Sequence, residues 1–276
     1  MTEKNIESIV SLKKLRKEYG KFTAVDEMNL EVPPGKVFGV LGPNGAGKTT
    51  TLKMITGLLH PTSGTITIDG VDTAKDPTYT KSITGFIPDR PYVYDKLTAF
   101  EYLRFIGGLY HMSGKLAASR IRELLELFEL SEWADGLIES FSHGMKQRVV
   151  FAGALLPQPK LLVVDEPMVG LDPKGHHLVK ELFRTLTQEE GMTILLSTHT
   201  LEVAEEVCDE IAIVNHGKIV AQGNLNELRL SSGQDEGSLE QVFLKITSES
   251  KQERDEAVAN RFGGAAKSEP NSWSGE

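Results

Sequence analysis

Positions 37–50 read VFGVLGPNGAGKTT, and no other stretch restricts the fold as tightly. An apolar run, Val37 to Leu41, breaks at Gly42 and passes through Gly45 and Gly47 into Lys48, Thr49 and Thr50. A run apolar at nearly every position suits a strand buried on both faces, as in the middle of a parallel sheet. The glycines let successive backbone N–H groups point into one hollow, and the helix that follows offers its positive N-terminal end. Gly42, Pro43, Asn44, Gly45, Ala46, Gly47, Lys48, Thr49 and Thr50 thus form a phosphate cradle of the G-x-x-x-x-G-K-S/T type, in the strand–loop–helix order that gives the pattern meaning. Lys48 can reach β- and γ-phosphates, and the Thr49 hydroxyl can ligate Mg²⁺. A dinucleotide fingerprint, G-x-G-x-x-G, is not present at this loop.

A central strand of this kind needs parallel neighbours. Apolar runs at 82–88, 160–167, 192–199 and 210–217 supply them, and helical spacing at 48–57, 174–190 and 201–208 lies between. This βαβ order predicts an α/β protein, a P-loop NTPase core with a mainly parallel sheet. The first 32 residues and residues 63–70 show β-branched alternation with Pro/Gly turns, which predicts a small antiparallel β subdomain. Residues 98–156 contain no convincing strand, and their spacing predicts a helical subdomain at about 90–156. The expected boundaries are a nucleotide-binding domain at 1–230 and a C-terminal extension at 231–276 with a polar, disordered end. Within the extension, LEQVFLKIT (239–247) reads as a short amphipathic helix that packs back on the core.

The run LLVVDEP ends a buried strand in two adjacent carboxylates, Asp165 and Glu166, at the sheet edge where the cradle also lies. Asp165 is placed to hold Mg²⁺ through water, and Glu166 to polarise an attacking water. LLSTH closes another core strand with His199, within reach of a γ-phosphate. An acidic pair or a lone strand-end histidine is ordinarily structural, so both gain meaning only beside the cradle.

Charge and composition narrow the partners. A net charge of −9 and a pI near 5.4 disfavour general binding to nucleic acid or to anionic membrane, which calls for a basic face. The single cysteine, Cys208, excludes an intrachain disulfide and fits a reducing compartment. The start MTEKNIESIV has no apolar segment behind a basic end, so no signal peptide is expected. No window reaches the roughly 18 apolar residues needed to span a bilayer, so a membrane role would be peripheral.

Taken in order, these motifs resemble the nucleotide-binding subunit of an ABC transporter. GPNGAGKTT and LLVVDEP stand as the family's two nucleotide motifs, GLDP (170–173) as its D-loop, STH as its H-loop, and FSHGM (141–145) where its LSGGQ signature falls. The likeness runs from Tyr19 to His199, with matching strands to about Gln222. It implies an ATPase that works with Mg²⁺ and clamps ATP between two nucleotide-binding domains, as a homodimer or a paralogous heterodimer. It also implies an integral membrane permease as partner, a place on the cytoplasmic face of the membrane through that permease, and no nucleic acid. By position, Ser142 and Gly144 contact the γ-phosphate held by the opposite copy, at a helix starting near Met145, and Asp172 bridges the copies. Tyr19 stands where a ring stacks on adenine, with Phe22 as the rival. The segments 87–103 and 141–148 are similar to those of bacterial export subunits with separate membrane proteins.

Two positions depart from the family pattern. Asp89 stands where a Gln contacts Mg²⁺ and the attacking water; a carboxylate still offers Mg²⁺ an oxygen but repels an unpaired phosphate, unless Arg90 neutralises it. His143 and Met145 replace the signature's first Gly and its Gln; an outward-facing His143 ring is expected. Lys146 and Arg148 read as partners in ion pairs, and His176 and His177, adjacent on a helix, as surface or packing residues rather than a metal pair. The alternatives are a non-transport ABC-type ATPase of chromosome maintenance or translation, and a small-molecule kinase. About 120 residues between Lys48 and Asp165 leave no room for the coiled coil of the first kind. A translation ATPase usually carries two such domains in one chain, and a kinase needs no FSHGM.

Overall fold

Three strands buried at every position organise the molecule: Val37–Leu41, Leu161–Asp165 and Thr193–Thr198. The computed structural model describes residues 7–168, 173–233 and 238–248. Its strands are β1 (Val10–Tyr19), β2 (Phe22–Val32), β3 (Val37–Leu41), β4 (Ser63–Ile68), β5 (Val71–Asp72), β6 (Thr84–Ile87), β7 (Leu161–Asp165), β8 (Thr193–Thr198), β9 (Glu210–Asn215) and β10 (Lys218–Gly223). Its helices are α1 (Lys48–Ile55), α2 (Pro77–Ser82), α3 (Ala99–Leu109), α4 (Gly114–Leu127), α5 (His143–Leu155), α6 (Pro173–Gln188), α7 (Leu201–Val207) and α8 (Leu225–Ser232). Residues 239–248 are also helical.

One sheet runs β10-β9-β3-β8-β7-β6, all parallel except for β10 against β9. The other, β2-β1-β4-β5, is antiparallel. The fold is therefore the expected α/β core with an antiparallel β subdomain and a helical one.

Alternation along the buried strands assigns the two faces of the large sheet. Leu161 and Val163 of β7 join Phe38, Val40, α1 and the antiparallel sheet in one apolar cluster. Leu162 and Val164 face the other way, into a cluster with α3–α6. Each fully buried Val, Leu or Ile contributes about 1.5–3 kcal/mol, so a one-residue slip of β7 would cost several such terms at once. That burial fixes the register, and the register brings the carboxyl ends of the strands level: Leu41 lies beside Thr198, and Asp165 beside Ser197.

The helical segment is set by local signals as well. Thr98 and Glu101 close a capping box at the start of α3, and Ser142 caps α5 by accepting from the Met145 N–H at 3.3 Å. On α6 the buried residues Val179, Leu182, Phe183 and Leu186 recur at helical spacing and form its core stripe.

Several elements differ from the sequence expectation. α2 and α8 were not foreseen, and α5 starts at His143 rather than near Met145. Residue 230, the expected domain boundary, falls inside α8. The helix expected over 239–247 is present at 239–248; Leu239 and Val242 are fully buried against Leu41, Ile211, Ile213 and Leu228. Apolar contact, not chain order, thus joins the start of the extension to the core.

Candidate nucleotide site

The glycine-rich loop leaves β3 at Gly42 and enters α1 at Lys48. Gly47 at its end has φ +103°, and a Cβ there would stand 2.4 Å from the Ala24 carbonyl oxygen, so no other residue fits. The loop is pinned from outside by the Gly217 N–H, which donates to Ala46 O at 2.9 Å.

Lys48 is buried, and its ammonium donates to Gly42 O at 2.7 Å and Pro43 O at 3.3 Å. Glu166 Oε1 lies 3.9 Å from the Lys48 Nζ. Burial pushes the Lys48 amine below its ordinary value, against the pull of the Glu166 and Asp165 charges. A cation held this way gains by exchanging carbonyl partners for phosphate oxygens, which carry full charge.

Asp165, at the end of β7, is buried and accepts from the Ser197 hydroxyl of β8 and from Thr49 Oγ1 at 3.2 Å. Burial raises its carboxyl above the usual range, the two hydroxyls oppose that, and the Asp89 and Glu166 charges add to it. Thr49 and Asp165 offer the hard oxygen donors that suit Mg²⁺. Among the described residues no three His, Cys, Asp or Glu side chains converge as a metal cluster, so Asp89 does not join Asp165 and Glu166 in one.

Glu166 follows directly, with φ +53°, a left-handed backbone that costs a non-glycine residue about 1–2 kcal/mol. Its N–H donates to Ser197 O at 3.0 Å, which holds the turn. The turned backbone sends its carboxylate to His199 Nδ1 at 2.8 Å and to the Thr198 hydroxyl at 3.3 Å. Thr198 is itself steadied, since its oxygen accepts from the Thr200 N–H at 3.0 Å.

These groups open onto a cleft of about 420 Å³ lined by Asn44 to Thr50, Asp89, Glu166, His199, Tyr19, Phe22 and Ala24. Tyr19 and Phe22 face each other across the β1–β2 turn and are 48% and 60% exposed, so both rings remain available to a base. Lys17 Nζ sits 5.3 Å from the centre of the Tyr19 ring. Asp89 and Arg90 are both exposed, and Asp89 is at the lining of the cleft.

Ser142 and Gly144 do not line this cleft; a Cβ on Gly144 would meet open space. His143 is exposed beside them. Lys146 pairs with Asp95 at 2.7 Å and Arg148 with Glu129 at 3.3 Å, both within the chain. His176 and His177 are exposed, and His176 Nε2 lies 3.0 Å from Met168 O. Asp172 lies outside the described residues.

Sequence reasoning overlooked Ser197 and Thr198. Two adjacent hydroxyls ending a fully buried strand after Ile194, Leu195 and Leu196 were the available signal, because a buried hydroxyl needs a partner.

Comparison with known proteins agrees with this geometry. The family model described as ABC transporter matches residues 25–169, and one described as an AAA domain, putative AbiEii toxin of a type IV TA system, matches 135–205. The Nod factor export ATP-binding protein I of Cupriavidus metallidurans is 39% identical over 221 residues, 80% of this chain and 73% of that protein. The linearmycin resistance ATP-binding protein LnrL of Bacillus subtilis is 40% identical over 214 residues, 78% of this chain and 68% of that one. The solved structure of an ATP binding subunit of an ABC transporter superposes with a TM-score of 0.81 at 34% identity, covering 87% of this chain and 100% of that one. A dimeric post-hydrolysis structure of the ATP-binding cassette MJ0796 with ADP and Pi gives a TM-score of 0.72 at 29% identity, over 78% and 98% of the two chains.

Proposed function

We propose a mechanism for a chain that belongs to the ABC transporter family and is one of its ATP-binding subunits. It hydrolyses ATP to ADP and phosphate and so powers a separate permease, in an export-type system; its relatives are named for Nod factor export and linearmycin resistance. The convergence of Lys48, Thr49, Glu166 and His199 on one cleft carries this reading.

ATP is taken with its adenine against Tyr19 or Phe22 and its phosphates over the loop from Gly42 to Thr50. Lys48 leaves the Gly42 and Pro43 carbonyls for the β- and γ-phosphates. Thr49 and Asp165 would hold Mg²⁺, with Asp89 nearby; bound there, the metal withdraws charge from the phosphate oxygens. Glu166 orients and polarises the attacking water and takes its proton. The bond from the γ-phosphorus to the bridging oxygen breaks and ADP leaves. His199 holds Glu166 in place and reaches the γ-phosphate. Positioning and charge stabilisation do most of this work.

Ser142 and Gly144 of the same chain do not line the cleft. Ser142 and Gly144 complete it from a second copy or a paralogous partner, presenting the N-terminus of α5 to the γ-phosphate, and Asp172 bridges the two. The dimeric cassette among the similar structures supports pairing. Among the described residues no helix is long and apolar enough to cross a membrane. We assign the chain to the cytoplasmic side of the membrane, held there by the permease. The proposed units are a nucleotide-binding domain with a helical part at about 90–156 and a C-terminal extension, their boundary moved from 230 because α8 spans that position and Leu239 and Val242 pack on the core. No observation favours the chromosome, translation or kinase alternatives.

Mixing tests the shared site. Lys48→Ala and Ser142→Arg chains should each be inactive, yet a mixture should recover about a quarter of normal turnover, because half the pairs are mixed and each has one intact site. A mixture that forms such pairs and stays inactive, or a single copy that works at full rate, would overturn the two-copy site.

A further inference from the structure

Glu129 sits past the end of α4, and its carboxylate reaches two other helices. Its Oε1 and Oε2 lie 2.7 and 2.8 Å from Lys174 Nζ at the start of α6. Oε2 also lies 3.3 Å from Arg148 Nη1 of α5, and that nitrogen donates to the Phe128 carbonyl at 3.4 Å. Hydrogen bonding from Lys174 lowers the Glu129 carboxyl below its usual value, so the link is ionic at neutral pH. Deeper in the core, Phe151 of α5 and Phe183 of α6 also pack, at 6.4 Å between ring centres; Arg148 lies one turn nearer the start of α5 than Phe151, and Lys174 at the start of α6.

The backbone of Glu129 makes a clean test available. Its φ is +56°, at the place after a helix where a glycine sits without strain and where His111 stands after α3.

We propose that Glu129 is a positioning residue whose carboxylate yokes α5 to α6, so that both N-terminal ends meet a second copy as one unit. On α5 the yoked end carries Ser142 and Gly144; on α6 Lys174 lies two positions after Asp172. The inference rests on the two-copy site described above and adds the residue that aligns its two contributing ends. Glu129 touches neither substrate nor metal. It acts through Arg148 and Lys174, and without it each helix end must be ordered separately when the copies close.

Glu129→Gly separates positioning from folding, because it removes the carboxylate and relieves the backbone strain together. The full chain would carry Glu166→Gln to hold ATP unhydrolysed, with pairing followed by analytical ultracentrifugation and ATP binding by a fluorescent ATP analogue. Adding Glu129→Gly should leave the thermal midpoint equal or higher and analogue binding by dilute protein within about twofold. ATP-driven pairing should weaken by about three- to tenfold, the loss expected for two partly exposed ion pairs. Turnover with Glu166 intact should fall by a similar factor. Lys174→Glu alone should be at least as poor, and Glu129→Lys combined with Lys174→Glu should restore part of the pairing. Unchanged pairing of the Glu129→Gly chain would overturn the proposal, as would a loss of pairing that only tracks a fall in thermal midpoint. If the Glu166→Gln chain itself fails to pair with ATP, the two-copy site falls first and the yoke with it.

Discussion

His199 Nδ1 lies 2.8 Å from Oε1 of Glu166, the same oxygen that lies 3.9 Å from the Lys48 ammonium. The histidine therefore steadies the proposed general base from one side while the lysine faces it from the other. His199→Ala should lower turnover by about 10²-fold and leave ATP affinity within about threefold, since orientation of a base matters at the transition state more than in binding. Phosphate release and equilibrium binding of a fluorescent ATP analogue check this. An affinity loss as large as the rate loss would make His199 a binding residue instead.

Ser197→Ala removes a donor from a buried carboxylate. Asp165 would keep only Thr49, and its carboxyl, already raised by burial, should move further up. The expected cost is about 1–3 kcal/mol in urea unfolding, with more Mg²⁺ needed for half-maximal ATP binding. Unchanged stability and unchanged Mg²⁺ dependence would remove Ser197 from the site.

Gly47→Ala combines a left-handed backbone with a Cβ 2.4 Å from Ala24 O. A loss of about 2 kcal/mol or more is expected, and the phosphate loop should distort so that ATP no longer protects against heat. Differential scanning fluorimetry with and without Mg·ATP reads both effects.

Gly39 and Cys208 should be coupled. A Cβ on Gly39 would lie 2.6 Å from Cys208 Sγ and 3.5 Å from its Cβ, so Gly39→Ala overpacks the site by about 1–3 kcal/mol. Cys208→Ala should relieve most of that, and a double-mutant cycle from urea melts should show a favourable coupling. Additive effects would mean that Cys208 already moves aside.

Asp69 gives a pH dependence of known sign. At the turn between β4 and β5 it accepts from the Tyr79 hydroxyl and from Lys160 Nζ at 2.7 Å. Burial opposes its charged form, but these partners outweigh burial and lower its carboxyl overall. A carboxyl lowered on folding adds stability above its ordinary value, and that stability is lost as pH falls through the lowered one. Asp69→Asn should thus cost about 1–2 kcal/mol at neutral pH, and the gap to wild type should close in acid. Chemical unfolding across that range is the measurement; a gap that persists in acid would rule out the ionic account.

Much of the site was legible in the sequence because it is encoded locally. Gly42 to Thr50 need only a buried strand before them and a helix after them, and both are written in neighbouring residues. Ser197 was not legible: its partner Asp165 lies 32 residues away, joined only by the β7–β8 register. Glu129 was hidden for the same reason, 45 residues from Lys174. Tyr19 and Phe22 could not be told apart by spacing, and the fold keeps both at the cleft because they are cross-strand partners.

The sequence by itself determined the phosphate loop, the acidic strand end and the alternation of strands and helices, since each follows from the periodicity and chemistry of adjacent residues. Only the tertiary structure decided that Thr49, Asp165, Glu166 and His199 meet, and that Ser142 and Gly144 of the same chain do not line that cleft. The direction of a side chain at a strand end depends on which strands are neighbours and in what register. Burial of apolar surface across the whole sheet sets both, and no local stretch of chain contains that information.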